Sequence, residues 1–269
     1  MYSILEHYLS TNHILMIGMI VTFILTFFLL EHPFSFLPSD QGRAFAVNGS
    51  LSKGKLRGVG FIFVLCFLIS SVLFLPIDVE YVIYAILLFA MMISGYLDDA
   101  SKTPWNEYKK GLIDLVISVV AVLTYMNFNS TTICFGADEI VIPKALFLIL
   151  GVILIWVSVN VTNCTDGVDG LCASLCSVTL LAFGVLFAPI LQKYAMANFL
   201  FLSVLFAYLY FNSSPSSMLM GDAGSRALGF YIAVIALKST HPFIYILLAA
   251  VMIVDGGIGL VKIALKRFL

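Results

Sequence analysis

Nine stretches of mostly apolar residues follow one another with short polar connections, and no soluble core of this size can bury them all. They fall at Ile14–Leu30, Gly58–Leu75, Val79–Leu97, Gly111–Met126, Ala145–Val159, Leu171–Ala188, Met196–Phe211, Ala227–Leu237 and Pro242–Leu265. A helix crossing a bilayer needs about 20 apolar residues, because the hydrocarbon layer is about 30 Å thick and a helix rises about 1.5 Å per residue. Gly111–Met126 and Ala227–Leu237 are shorter and need protein neighbours or polar flanks at the bilayer's edge. Composition agrees: 61% of the residues are hydrophobic and 11% charged, whereas charged residues make up about a quarter of a soluble domain. The expected fold class is all-α, a polytopic integral membrane helical bundle of about nine spans forming one domain over residues 1–269. Glu6 and His7 stand where a signal peptide carries lysines, so the first run is expected to be a retained span. Asp255-Gly256-Gly257 inside the last run predicts a bend or local unwinding there.

Lysine and arginine positions orient the bundle. With connections numbered in order, Arg43, Lys53, Lys55, Arg57, Lys102, Lys109, Lys110, Arg226, Lys262, Lys266 and Arg267 fall on one side, against Lys144, Lys193 and Lys238 on the other. Cytoplasmic loops carry the excess of positive charge, so the first side is expected to be cytoplasmic and the N-terminus outside. No basic run or interleaving of aromatic and basic residues points to nucleic acid. The five cysteines lack metal-ligand spacing and read as small apolar packers, and the four histidines share no face that suggests a metal site.

The same parity gathers the polar motifs on the cytoplasmic side. Asp98-Asp99 ends the third run, Asp166 and Asp169 lie in the polar stretch Asn160–Leu171, and Asp222 sits in Gly221-Asp222-Ala223-Gly224-Ser225 before the eighth. Five carboxylates on one face repel one another unless a cation joins them. A hard divalent ion, Mg²⁺ or alternatively Mn²⁺, takes one or two carboxylates and leaves positions for water and phosphate oxygens. Lys53, Lys55, Arg57, Lys102, Lys109 and Lys110 line the same face and suit a phosphate or diphosphate. Acids for a metal and lysines for phosphates, at a membrane surface, point to phosphoryl transfer. A bundle of helices bearing two aspartates also admits an intramembrane aspartyl protease, which would leave Asp166 and Asp169 without a role. An ion or metabolite transporter would place its acids at mid-span and show internal repeats; most of these acids sit at helix ends.

The set Asp98-Asp99-Ala-Ser-Lys102, Lys110, Asn160-Val-Thr-Asn163-Cys-Thr-Asp166-Gly-Val-Asp169-Gly170-Leu171, Asn212 and Met220-Gly221-Asp222-Ala-Gly224-Ser225 resembles the polyprenyl-phosphate N-acetylhexosamine-1-phosphate transferases in order and spacing. Thr165 makes it more similar to the family's muramoyl-pentapeptide branch than to its N-acetylglucosamine branch, the runner-up, which usually has an apolar residue there. The resemblance implies ten spans in a bacterial plasma membrane and a site on the cytoplasmic face. The implied reaction is Mg²⁺-dependent transfer of phospho-MurNAc-pentapeptide from UDP-MurNAc-pentapeptide to undecaprenyl phosphate, giving lipid I and UMP; a homodimer is a further expectation. Carried over by residue, Asp222 resembles the magnesium ligand, and Asp98 and Asp99 the acidic pair, with Asp98 a suggested base. Lys102 and Lys110 resemble phosphate contacts, and Lys53, on the same basic face, is a further substrate-binding candidate. Asn160, Asn163, Asp166, Asp169, Gly170, Leu171 and Asn212 resemble the substrate pocket. The family's Thr-Pro-Thr-Met-Gly-Gly motif is replaced by Lys55-Leu56-Arg57-Gly58-Val59-Gly60, and its His-rich loop and last helix would follow the end of this chain.

Overall fold

A computed structural model describes residues 1–32, 34–40, 42, 52–101, 103, 105–136 and 138–268, without the side chains of 263, 264 and 266–268. The helices are α1 (Tyr2–Leu5), α2 (Thr11–Glu31), α3 (Gly60–Phe74), α4 (Val79–Asp99), α5 (Glu107–Phe128), α6 (Lys144–Thr165) and α7 (Leu171–Leu186), then α8 (Ala188–Leu191), α9 (Lys193–Asn212), α10 (Gly221–Lys238), α11 (Ile244–Leu248) and α12 (Ala250–Phe268). Strands β1 (Thr132–Phe135) and β2 (Asp138–Val141) form a small antiparallel hairpin between α5 and α6. Among the described residues, α2, α4, α5, α6 and α9 are long and apolar enough to cross a membrane, and α3 and α7 are shorter apolar helices. This is the polytopic helical membrane protein that the apolar runs predict.

Helix α10 is the axis of the bundle. Every residue from Gly221 to Leu237 is buried, and α3, α4, α6 and α7 pack around it. Small residues allow that approach, as they do wherever helices associate without a hydrophobic drive. A Cβ built on Gly95 of α4 would stand 2.3 Å from the carbonyl oxygen of Asp222, and one on Gly60 of α3 would stand 2.1 Å from the nitrogen of Gly224. Backbones of α3, α4 and α10 therefore touch where α10 begins, which fixes the start of that helix to within a side chain's breadth.

Three boundaries differ from those the sequence predicts. Helix α6 continues six residues beyond Val159 into the polar stretch. Asn160 returns its amide to the carbonyl of Trp156, and Thr165 its hydroxyl to that of Val161, so polar side chains sit in the helix without interrupting it. Helix α10 begins at Gly221, six residues before its apolar run, and takes Asp222 into its first turn. The predicted break at Asp255-Gly256-Gly257 is absent: α12 runs through it, and the chain instead turns between Leu248 and Ala250. Gly256 serves packing, since a Cβ there would lie 2.2 Å from the carbonyl oxygen of Val161 on α6, while Asp255 is exposed.

The two ends of the bundle differ in chemistry. At one end lie the end of α4 and the starts of α5 and α10, together with the α6–α7 connection. At the other, Lys238 at the close of α10 donates to both oxygens of Glu80 at 3.1 and 3.0 Å and to Asn129 at 2.7 Å. Asn129 also donates to Glu80 at 2.7 Å, and Lys193 pairs with Asp78 nearby. The hairpin belongs to this second end, where the amide of Cys134 donates to the carbonyl of Thr240.

Candidate active site

The first end holds a charged centre assembled from four parts of the chain. Helix α4 delivers Asp98 and Asp99 at its last turn, α5 delivers Lys110 from its first, α10 delivers Asp222 from its first, and the segment before α3 delivers Arg57. Lys110 Nζ lies 2.5 Å from Asp98 and 3.0 Å from Asp222. Arg57 donates through Nε to Asp99 at 2.8 Å, through Nη1 to Asp40 at 3.2 Å and through Nη2 to Asp222 at 3.4 Å. Asp98 also accepts the backbone N–H of Trp105 at 2.7 Å, and Asp99 that of Ala223 at 3.1 Å. An acid in the first turn of α10 is favoured by the helix's positive end.

Glycine shapes this junction at Gly221, whose φ of +66° belongs to the left-handed region. A Cβ there would stand 2.3 Å from Asp99 Oδ2, so the same absence of a side chain permits the turn and admits the carboxylate. Burial would lower the affinity of Arg57 for its proton, but the carboxylates of Asp99, Asp222 and Asp40 outweigh it and hold the guanidinium above its ordinary value.

A second group of residues frames the centre. The carboxylate of Asp169 accepts the N–H of Ser216 at 3.0 Å and faces Lys55 at 3.5 Å, while Lys55 also donates to the Ser216 hydroxyl at 2.9 Å. Burial would raise the Asp169 carboxyl; the two bonds from Ser216 and the charge of Lys55 hold it below the usual carboxylate range. Gly170, left-handed at φ +77°, caps α7 and donates its N–H to Asn212 Oδ1 at 3.0 Å. Asn212 in turn donates to the carbonyl of Met218 at 2.9 Å, so both ends of its amide tie the α9–α10 connection to the start of α7. Asn163 donates to the Ser225 hydroxyl at 2.9 Å, linking α6 to α10.

Of the residues singled out in the sequence, Asp98, Asp99, Lys110 and Asp222 converge, and Asn163, Asp169, Gly170 and Asn212 surround them. Asp166 caps α6 and Leu171 opens α7, both half-buried. Asn160 is bonded to its own helix, Lys53 is exposed on a turn, and Lys102 lies outside the described residues. The pattern missed three participants. Asp40 and the central position of Arg57 depend on the segment before α3 folding against the α9–α10 connection, where Leu219 donates its N–H to Leu56. The third is a buried pair one turn below the centre, Arg226 of α10 with Asp114 of α5; its only signal was spacing, since each stands four residues after Asp222 and Lys110.

Among the described residues no three Asp, Glu, His or Cys side chains converge as a metal cage. The donor set has another character. Asp40, Asp98, Asp99, Asp114 and Asp222 against Arg57, Lys110 and Arg226 leave a formal excess of two negative charges. That balance, with 11% of the Asp222 side chain still exposed, fits a hard divalent cation sharing one or two carboxylates with water and phosphate oxygens.

A family model described as glycosyl transferase family 4 matches residues 81–240, the stretch from α4 through α10. The chain is similar to the phospho-N-acetylmuramoyl-pentapeptide-transferase of Treponema pallidum subsp. pallidum, with 36% identity over 274 residues, covering 94% of this chain and 76% of the relative. Proteins of the same name from Halalkalibacterium halodurans and Dictyoglomus turgidum are 28% and 25% identical, each covering 91% of this chain and 81% and 80% of the relative.

Proposed function

The chain belongs to glycosyl transferase family 4 and is a membrane transferase, and from that premise we propose that it moves phospho-MurNAc-pentapeptide from UDP-MurNAc-pentapeptide to undecaprenyl phosphate, with the site facing the cytoplasm and the N-terminus outside. The observation that carries this reading is Lys110, held between Asp98 and Asp222 where three helices end or begin. A cation in that position, beside carboxylates suited to a divalent ion, is what a nucleotide diphosphate needs.

An oxygen of the lipid phosphate attacks the phosphorus that bears the sugar. A new P–O bond forms there, the bond to the bridging oxygen breaks, and UMP leaves with the electron pair. Lys110 stabilises charge on the diphosphate as the bridge opens, and the carboxylates of Asp98 and Asp222 aim its ammonium. A phosphate at neutral pH is already largely ionised, and Asp98 accepts two hydrogen bonds as a carboxylate, so we assign it orientation of Lys110 rather than proton abstraction. Mg²⁺ bound at Asp222 would supply charge neutralisation on the diphosphate oxygens. We assign Asn163, Asp166, Asp169, Gly170 and Leu171 to the nucleotide, and Lys53 and Lys102 to its phosphates.

The test is exchange of labelled UMP into UDP-sugar donors by purified protein with undecaprenyl phosphate, with and without Mg²⁺. Metal-dependent exchange with UDP-MurNAc-pentapeptide, lost in Asp222→Asn, is expected. Exchange with UDP-GlcNAc instead would reassign the donor, and exchange with neither would sink the reading.

A further inference from the structure

Arg57 joins three carboxylates from three elements, yet its bonds are unequal. The Nε bond to Asp99, at 2.8 Å, is short, whereas the Nη1 and Nη2 bonds to Asp40 and Asp222, at 3.2 and 3.4 Å, lie at or beyond the long end of the ordinary range. Asp99 is immobile: its side chain is wholly enclosed, and the N–H of Ala223 grips its other oxygen. The backbone beneath Arg57 is also fixed. Its own N–H donates to Pro38 at 2.9 Å, Leu219 donates to Leu56 at 2.8 Å, and Val59 donates to Leu219 at 3.2 Å. What remains adaptable is the terminal edge of the guanidinium, in a side chain 28% exposed. Across it, Asp222 carries one cation on each oxygen, Arg57 on Oδ1 and Lys110 on Oδ2. An anion is thus already seated between the two cations.

We infer that Arg57 is a diphosphate-binding residue: Asp99 holds its Nε, and the Nη1–Nη2 edge transfers from Asp40 and Asp222 to the phosphates of the donor. A guanidinium suits this because its terminal N–H groups form a planar fork matching two phosphate oxygens, which an ammonium cannot offer. Asp99 is then a positioning residue that acts through Arg57, since its enclosed oxygens cannot meet a substrate. Asp222, relieved of one cation, is left open to a divalent ion. The inference rests on the transferase reading and adds to it a ligand and an order of events at the same carboxylate.

The experiment is calorimetric titration of the purified full chain with UDP and, separately, with uridine, both in Mg²⁺ buffer. Wild type is expected to prefer UDP. Arg57→Gln should lose about tenfold or more in UDP affinity, the scale of one charge-assisted bond, and keep its affinity for uridine. Arg57→Lys, which retains charge without the fork, should fall between them, and Asp99→Asn should shift UDP in the same direction while sparing uridine. If Arg57→Gln and Arg57→Lys keep the wild-type ratio of UDP to uridine affinity, including by losing both together, Arg57 is a brace and the inference is overturned. A wild type with no preference for UDP over uridine would remove the transferase reading and this inference with it.

Discussion

Lys110 and Asp222 face each other at 3.0 Å across α5 and α10, and one turn further along the same two helices the charges are exchanged, with Arg226 of α10 donating to Asp114 of α5. The helices run parallel, both starting at the site. A slip of one turn between them would set Lys110 against Arg226 or Asp114 against Asp222, so the alternation locks the register that places the ammonium over the carboxylate. The lower pair is buried at 2% side-chain exposure on each partner, and Nη1 of Arg226 has no hydrogen-bond partner among the described residues.

Removing half of that pair should cost far more than removing all of it. Asp114→Ala leaves a buried guanidinium uncompensated and is expected to destabilise by about 3–5 kcal/mol, while the double change Arg226→Met with Asp114→Leu should recover most of the loss. Thermal unfolding of the purified protein in one detergent measures both; equal losses in the single and double variants would show that the pair is not coupled.

Lys110→Met should lower the exchange rate by about a hundredfold or more, the usual consequence of deleting one preorganised donor to developing charge. Asp98→Asn, which keeps an acceptor for the Trp105 N–H but weakens the hold on Lys110, should lower it less. Exchange kinetics at saturating donor separate the two; a Lys110→Met variant of ordinary rate contradicts the assigned role.

Two glycine substitutions should behave oppositely. Gly95→Ala drives a methyl into the Asp222 carbonyl and should cost about 1–3 kcal/mol by overpacking, with loss of exchange because α10 begins at that contact. Gly257→Ala meets nothing within 4 Å and should be neutral, or stabilise α12 by up to about 1 kcal/mol through helix propensity. Apparent Tm values for the two variants decide it.

Acid sensitivity should be traceable in part to Asp169. Its folded carboxyl lies below its ordinary value, so its contribution to stability is fully present above about pH 4, the unfolded carboxylate's pKa, and is lost as pH falls through the folded one. Asp169→Asn should therefore unfold with a shallower dependence on pH below about 4, with little change at neutral pH, because a part-exposed pair contributes about 1 kcal/mol or less. Unfolding midpoints across that range supply the measurement.

What could be read before folding followed from local chemistry. The apolar runs located the helices because hydrocarbon leaves a chain few alternatives, and the grouping of Asp98, Asp99, Lys110 and Asp222 followed from loop parity. Arg57 was legible as one of the basic residues on that face, but its place among three carboxylates, and Asp40 altogether, escaped because they depend on a contact between residues 56 and 219 that no periodicity records. The continuation of α6 through Asn163 escaped because hydroxyls and amides bonded to the preceding turn remove the reason for a polar residue to end a helix. The Gly256-Gly257 pair was misread as a breaker because glycine in a membrane helix marks a neighbour's backbone as readily as a bend.

The enclosure of α10 has a mechanical consequence. Its residues from Gly221 to Leu237 are buried, and its two ends are fastened by ion pairs, Asp222 with Lys110 and Lys238 with Glu80. Membranes of different thickness act on helices by tilting or stretching those that lipid touches; here that load falls on the surrounding ring. Asp222 rides on an inner strut whose depth is set by protein alone, so its alignment with Lys110 should persist as the lipid around the molecule changes.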